Sequence, residues 1–126
     1  MITGIEHIGV YSSDTAALKD WYVRVLGFKV VYDNGKGTYF VAAPDGSMLE
    51  LVTASENIGR FSDKASGLRH LALKVDNFEE AVEKLRREKV EVVTEPVVTP
   101  AGVRTFFFRD PDGNVLHLIS RHQPLV

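Results

Sequence analysis

"PDGSMLELVT" (Pro44–Thr53) and "PDGNVLHLIS" (Pro111–Ser120) are identical at five of ten positions, each a turn signal followed by alternating apolar residues. A second pair repeats in the same order: "GIEHIGVYSSD" (Gly4–Asp14) and "GLRHLALKVDN" (Gly67–Asn77) both open Gly-x-x-His. The two similarities are offset by 63 and 67 residues, which points to a duplicated unit about half the chain long. The spacing predicts module 1 over residues 1–56, a connector over 57–66 and module 2 over 67–126.

The segments between these anchors agree in kind. "SSDTAALKDWYVRVLGF" has helix-start residues at Ser13 and Asp14, an apolar stripe at Leu18, Trp21, Tyr22 and Val25, and a stop at Gly27. In the second copy Asn77 precedes "FEEAVEKLRREK", where Phe78, Ala81, Val82 and Leu85 repeat the stripe and Glu80 takes the acid position of a capping box. Three strand-like runs follow each helix: "FKVVYDN", "GTYFVAA" and "SMLELVTA", then "VEVVTE", "VRTFFFR" and "NVLHLIS". Each module therefore reads strand, helix, three strands, an α+β arrangement.

Alternation along the outer strands singles out four polar residues. Residues two apart share a face, so His7 lies with Gly9 and Tyr11, Glu50 with Met48 and Val52, His70 with Leu68 and Ala72, and His117 with Val115 and Ile119. The apolar pairs opposite them suit packing against the helices, which leaves one polar residue per strand on a face otherwise apolar or small. Phe106 and Phe108 point one way and Phe107 the other, and we expect Phe106 and Phe108 at a substrate together with Tyr11 and Met48. Arg69 and Arg104 read as members of solvated salt bridges, with an acidic substrate as the alternative.

Composition narrows the partners. At 126 residues and 44% apolar, the chain suits one compact domain with a sizeable core. A net charge of −2 without blocks of like charge gives no footprint for nucleic acid. No stretch approaches the roughly 20 apolar residues of a bilayer span, and the N-terminus lacks an export signal, so a cytoplasmic location is expected. The absence of cysteine removes thiolate ligands and nucleophiles, so any metal must bind through His and carboxylate.

Through "EHIGV", "RHLALKV", "WYVRVLGF" and "RDPDGNVLHL", the chain resembles the vicinal oxygen chelate superfamily over nearly its whole length. That superfamily groups glyoxalase I, extradiol dioxygenases, methylmalonyl-CoA epimerase, fosfomycin-resistance transferases and bleomycin-binding proteins. The resemblance implies two βαβββ modules forming a half-barrel around a divalent metal, with ligands at His7, Glu50, His70 and His117. Two imidazoles and a carboxylate suit Zn²⁺, Ni²⁺, Mn²⁺ or Fe²⁺, and a third imidazole completes the set. It also implies a homodimer.

The chain departs from the family pattern in three places. Metal-binding relatives usually carry Glu where His117 stands. Bacterial glyoxalase I carries an arginine at the position of Tyr11 and an asparagine at that of Ala54, both serving glutathione. The expected function is thus a metal-dependent isomerase or lyase moving a proton on a small metal-chelated oxygenated substrate, with Glu50 or His117 as the base. An Fe²⁺-dependent dioxygenase and a drug-binding protein of the bleomycin-resistance kind are the alternatives.

Overall fold

The computed structural model describes residues 1–57 and 62–126. The chain divides into two compact units, 1–59 and 60–126. The connector expected over 57–66 lies partly, at 58–61, outside the described residues.

The first unit runs β1 (His7–Ser12), α1 (Thr15–Leu26), β2 (Lys29–Asp33), β3 (Tyr39–Ala42) and β4 (Met48–Thr53). Its sheet has the order β1-β4-β3-β2, with β1 parallel to β4 and the other pairs antiparallel. The second unit repeats this plan: β5 (Leu71–Lys74), α2 (Phe78–Arg87), β6 (Glu91–Val98), β7 (Val103–Arg109) and β8 (Val115–Arg121), ordered β5-β8-β7-β6 with β5 parallel to β8. The expected pair of βαβββ units is present, and the fold is α+β.

The helices form where the sequence marks them. Asp14 caps α1 by accepting from the Ala17 amide, and Leu18, Trp21, Tyr22 and Val25 are its buried stripe. Asn77 caps α2 by accepting from the Glu80 amide, while the Glu80 carboxylate takes the Asn77 side-chain amide instead of the backbone N–H of a full capping box. Phe78, Val82 and Leu85 are buried.

Each helix covers one face of its own sheet. In the first unit α1 lies on β3 and β4, and Val41, Leu49 and Leu51 are buried beneath it. In the second α2 lies on β8, with Leu116, Leu118, Phe106 and Phe108 forming the core. Burying these faces sends the alternate residues, Glu50 and His117 among them, to the opposite one. A one-residue slip of register would invert the arrangement, so the core fixes where the polar residues point.

Candidate functional site

In the first unit the parallel pairing of β1 with β4 sets His7 against Met48 and Gly9 against Glu50. His7 Nε2 stands 3.7 Å from Glu50 Oε1, and both side chains are about one-third exposed. The other ring nitrogen, Nδ1, is 2.5 Å from Glu6 Oε1. An ionised carboxylate only accepts, so Nδ1 donates to Glu6, and in the neutral ring Nε2 presents its lone pair toward Glu50. Two lone-pair donors facing one another need a proton or a cation between them. Gly9 leaves the carboxylate uncrowded; even a Cβ there would stand 3.6 Å from Oε1. Phe40, level with Glu50 on β3, meets the His7 ring edge-on at 5.1 Å.

The second unit repeats the geometry with different chemistry. His70 directly precedes β5, and its ring lies 4.3 Å from that of His117 on β8. Phe107, level with His117, stacks on it at 4.4 Å with 6° between the planes, and meets His70 edge-on at 5.6 Å. His117 is 4% exposed. Its Nδ1 and Nε2, and Nδ1 of His70, are buried without hydrogen-bond partners. Burial pushes the His70 imidazole below the usual histidine value, with the Arg69 charge adding to the effect. Burial does the same to His117, reinforced by His70, against a weaker opposing pull from the Leu118 backbone. Both rings are therefore held in the neutral form that ligates metals.

Several expected residues fall where the alternation put them. Tyr11 shares the face of His7 and is exposed, and Met48 shares that of Glu50. Phe106 and Phe108 do not: both are wholly buried, level with Leu118 and Leu116, so they belong to the core and not to a substrate surface. The aromatic beside the histidines is Phe107. Phe40, Phe107 and Glu6 were not singled out by the sequence, although Phe40 and Phe107 are related by the same offset as Glu50 and His117. Arg104 pairs with Glu79 as expected, whereas Arg69 lies over the Phe107 ring at 5.8 Å.

The glyoxalase/bleomycin resistance protein/dioxygenase superfamily model matches residues 4–118. The chain belongs to that superfamily. It is 36% identical to the uncharacterized protein YwkD of Bacillus subtilis (strain 168), over 96% of this chain and 99% of that one. A glyoxalase family protein from Enterococcus faecalis superposes with a TM-score of 0.77 at 32% identity, over 93% of this chain and 97% of that one. Biphenyl-2,3-diol 1,2-dioxygenase 2 of Rhodococcus globerulus is 28% identical over 89% of this chain, which spans 60% of the dioxygenase. The superfamily includes metalloenzymes, so the fit of this member's residues to a divalent ion bears on its chemistry.

Each pair fits such an ion. Two donors about 2.1 Å from one tetrahedral ion stand roughly 3.4 Å apart, close to the separation of His7 Nε2 and Glu50 Oε1. Glu6 on the far nitrogen of His7 is the carboxylate–histidine arrangement that orients a ligating imidazole. In the second unit each neutral ring has one nitrogen whose lone pair can bind an ion, and the buried nitrogens there have no hydrogen-bond partner. Among the described residues no cluster of three or more His, Asp or Glu side chains is placed to hold a metal, so each unit displays two donors.

Proposed function

We propose that this superfamily member is a divalent-metal-dependent isomerase or lyase, acting in the cytoplasm as a homodimer and moving a proton on a small oxygenated substrate. Its ligands are drawn from His7, Glu50, His70 and His117. The observation that carries this reading is the trio of buried ring nitrogens on His70 and His117 without partners. A buried polar atom left unpaired costs about 1–3 kcal/mol, which a structural histidine avoids by finding a hydrogen bond.

A bound divalent ion supplies Lewis acidity, stabilising negative charge that develops on a substrate oxygen. The chain's own groups do the rest. Glu50, partly exposed and uncrowded at Gly9, offers Oε1 to the ion and keeps its second oxygen, Oε2, to take a proton. Glu6 holds the His7 ring in one tautomer, so Nε2 keeps its lone pair for the metal. Phe107 stacks on His117 and keeps water from that face, and Phe40 packs edge-on against His7. Met48 and Tyr11, on the same sheet face as the first pair, contact the substrate.

The similarity to biphenyl-2,3-diol dioxygenases favours a second reading, an Fe²⁺-dependent dioxygenase. Elemental analysis of untagged protein dialysed against mixed divalent ions tests both, with His117→Ala in parallel. About one metal per chain, lost in the variant, supports a metalloenzyme; oxygen uptake with catechols on the Fe²⁺ form then selects the dioxygenase. No metal in either protein removes both and leaves a drug-binding protein.

A further inference from the structure

We propose that Arg69 is a carboxylate anchor, making the substrate a small organic monocarboxylate. The inference deepens the reading above and rests on it for His70 and His117 as the reacting centre. Most arginines of the second unit are committed to carboxylates: Arg86 to Glu95, Arg87 to Glu83, Arg104 to Glu79, and Arg109 to Asp63 and Glu91. Arg69, among the described residues, has no such partner; its contact is with the face of Phe107. A cation–π contact holds a guanidinium in place while leaving its N–H donors unused. The same Phe107 stacks on His117 and touches His70, so one ring positions an unused donor fork beside two imidazoles with unpartnered nitrogens. A planar fork of this kind matches a carboxylate through paired hydrogen bonds.

The single guanidinium fork favours a carboxylate over a phosphate: Arg69 presents one set of paired N–H donors at this point. Arg121 shares the face of His117 four residues along β8, its backbone about 13 Å away. Glu6, the counterpart of Arg69 in the first unit, is already engaged by His7 and repels an anion.

Calorimetric titration of the protein as isolated tests this, using 2-oxobutanoate, its neutral methyl ester and inorganic phosphate as probes. The acid is expected to saturate, with ester and phosphate at least tenfold weaker. Arg69→Gln should weaken the acid about tenfold or more and leave the ester unchanged, and Arg69→Lys should fall between. Equal binding of acid and ester, phosphate as tight as the acid, no saturation by the acid, or unaltered acid binding by Arg69→Gln each overturns the proposal. If Arg69→Gln fails to fold, as a melting curve will show, the acid-to-ester ratio in Arg69→Lys decides in its place. Metal content on the same samples separates the two readings. Metal retained with no effect of Arg69 sinks the anchor alone, whereas Arg69-dependent binding to a protein without metal sinks the metalloenzyme alone.

Discussion

The two units place the same four positions in the same geometry and fill them with opposite chemistry. A histidine opens each unit, a phenylalanine on the third strand meets it edge-on, and the facing residue of the last strand completes the cluster. In the first unit that facing residue is Glu50 and the neighbour of the histidine is Glu6; in the second they are His117 and Arg69. One cluster is acidic, partly exposed and internally bonded. The other is neutral at its rings, buried and unsatisfied. The backbone plan therefore dictates where donors stand, while single side chains decide which charge each cluster presents.

Removing a donor should give the largest effect. Glu50→Ala and His117→Ala are each expected to weaken divalent-metal binding at least a hundredfold in a chelator competition, and Glu6→Gln about tenfold, because it only orients His7. A loss confined to one unit's variants would break the equivalence of the clusters. Stability should separate them next. His117→Leu replaces unsatisfied buried nitrogens by apolar surface, so metal-free protein is expected to gain about 1–3 kcal/mol in chemical denaturation. Glu50→Leu, at a partly exposed carboxylate, should gain nothing comparable.

Acid response sharpens the contrast further. Both second-unit imidazoles are held below the ordinary histidine value near 6.5, so above it neither the folded nor the unfolded chain is protonated there and stability is at its full value. Below it the unfolded chain takes protons that the folded chain resists, and stability falls until the folded values are reached. Urea titrations of metal-free protein between pH 7.5 and 5 (about the histidine range) should show this loss, and His117→Leu should flatten it. The smallest effects belong to the helix ends. Gly27 ends α1 in the left-handed region at φ 73°, whereas Lys89 occupies that region after α2 at φ 56°, with Lys89 and Val90 donating to Arg86 and Leu85. Gly27→Ala should cost about 1 kcal/mol, and Lys89→Gly should gain a few tenths to 1 kcal/mol, both read from denaturation midpoints.

The helices and the succession of strands along the chain were legible because short-range rules govern them. Asp14, Asn77 and the apolar stripes carry their structure in residues three and four apart, and the repeated PDG segments announce the last strand of each unit. The aromatic residues were misassigned because alternation gives two faces without saying which is inward. Pairing β7 with β8 sets that phase, putting Phe107 beside His117 and sending Phe106 and Phe108 to the core. For Arg69 the sequence left a salt bridge and an acidic substrate open, and its place over the Phe107 ring emerges only from the fold, since a salt bridge and a cation–π contact look alike in a string of letters. Glu6 shows the same limit from the other side: its exposure suggests a solvated charge, and its bond to His7 exists only once the backbone is placed.

The parallel pairing of each unit's first strand with its last also orders events in time. His7 and Glu50, like His70 and His117, are about 45 residues apart in the chain and become neighbours only when that ladder closes. Closing so long a loop is among the slower and later steps of folding such a unit. As a nascent chain leaves the ribosome, neither pair is assembled until its unit is nearly complete.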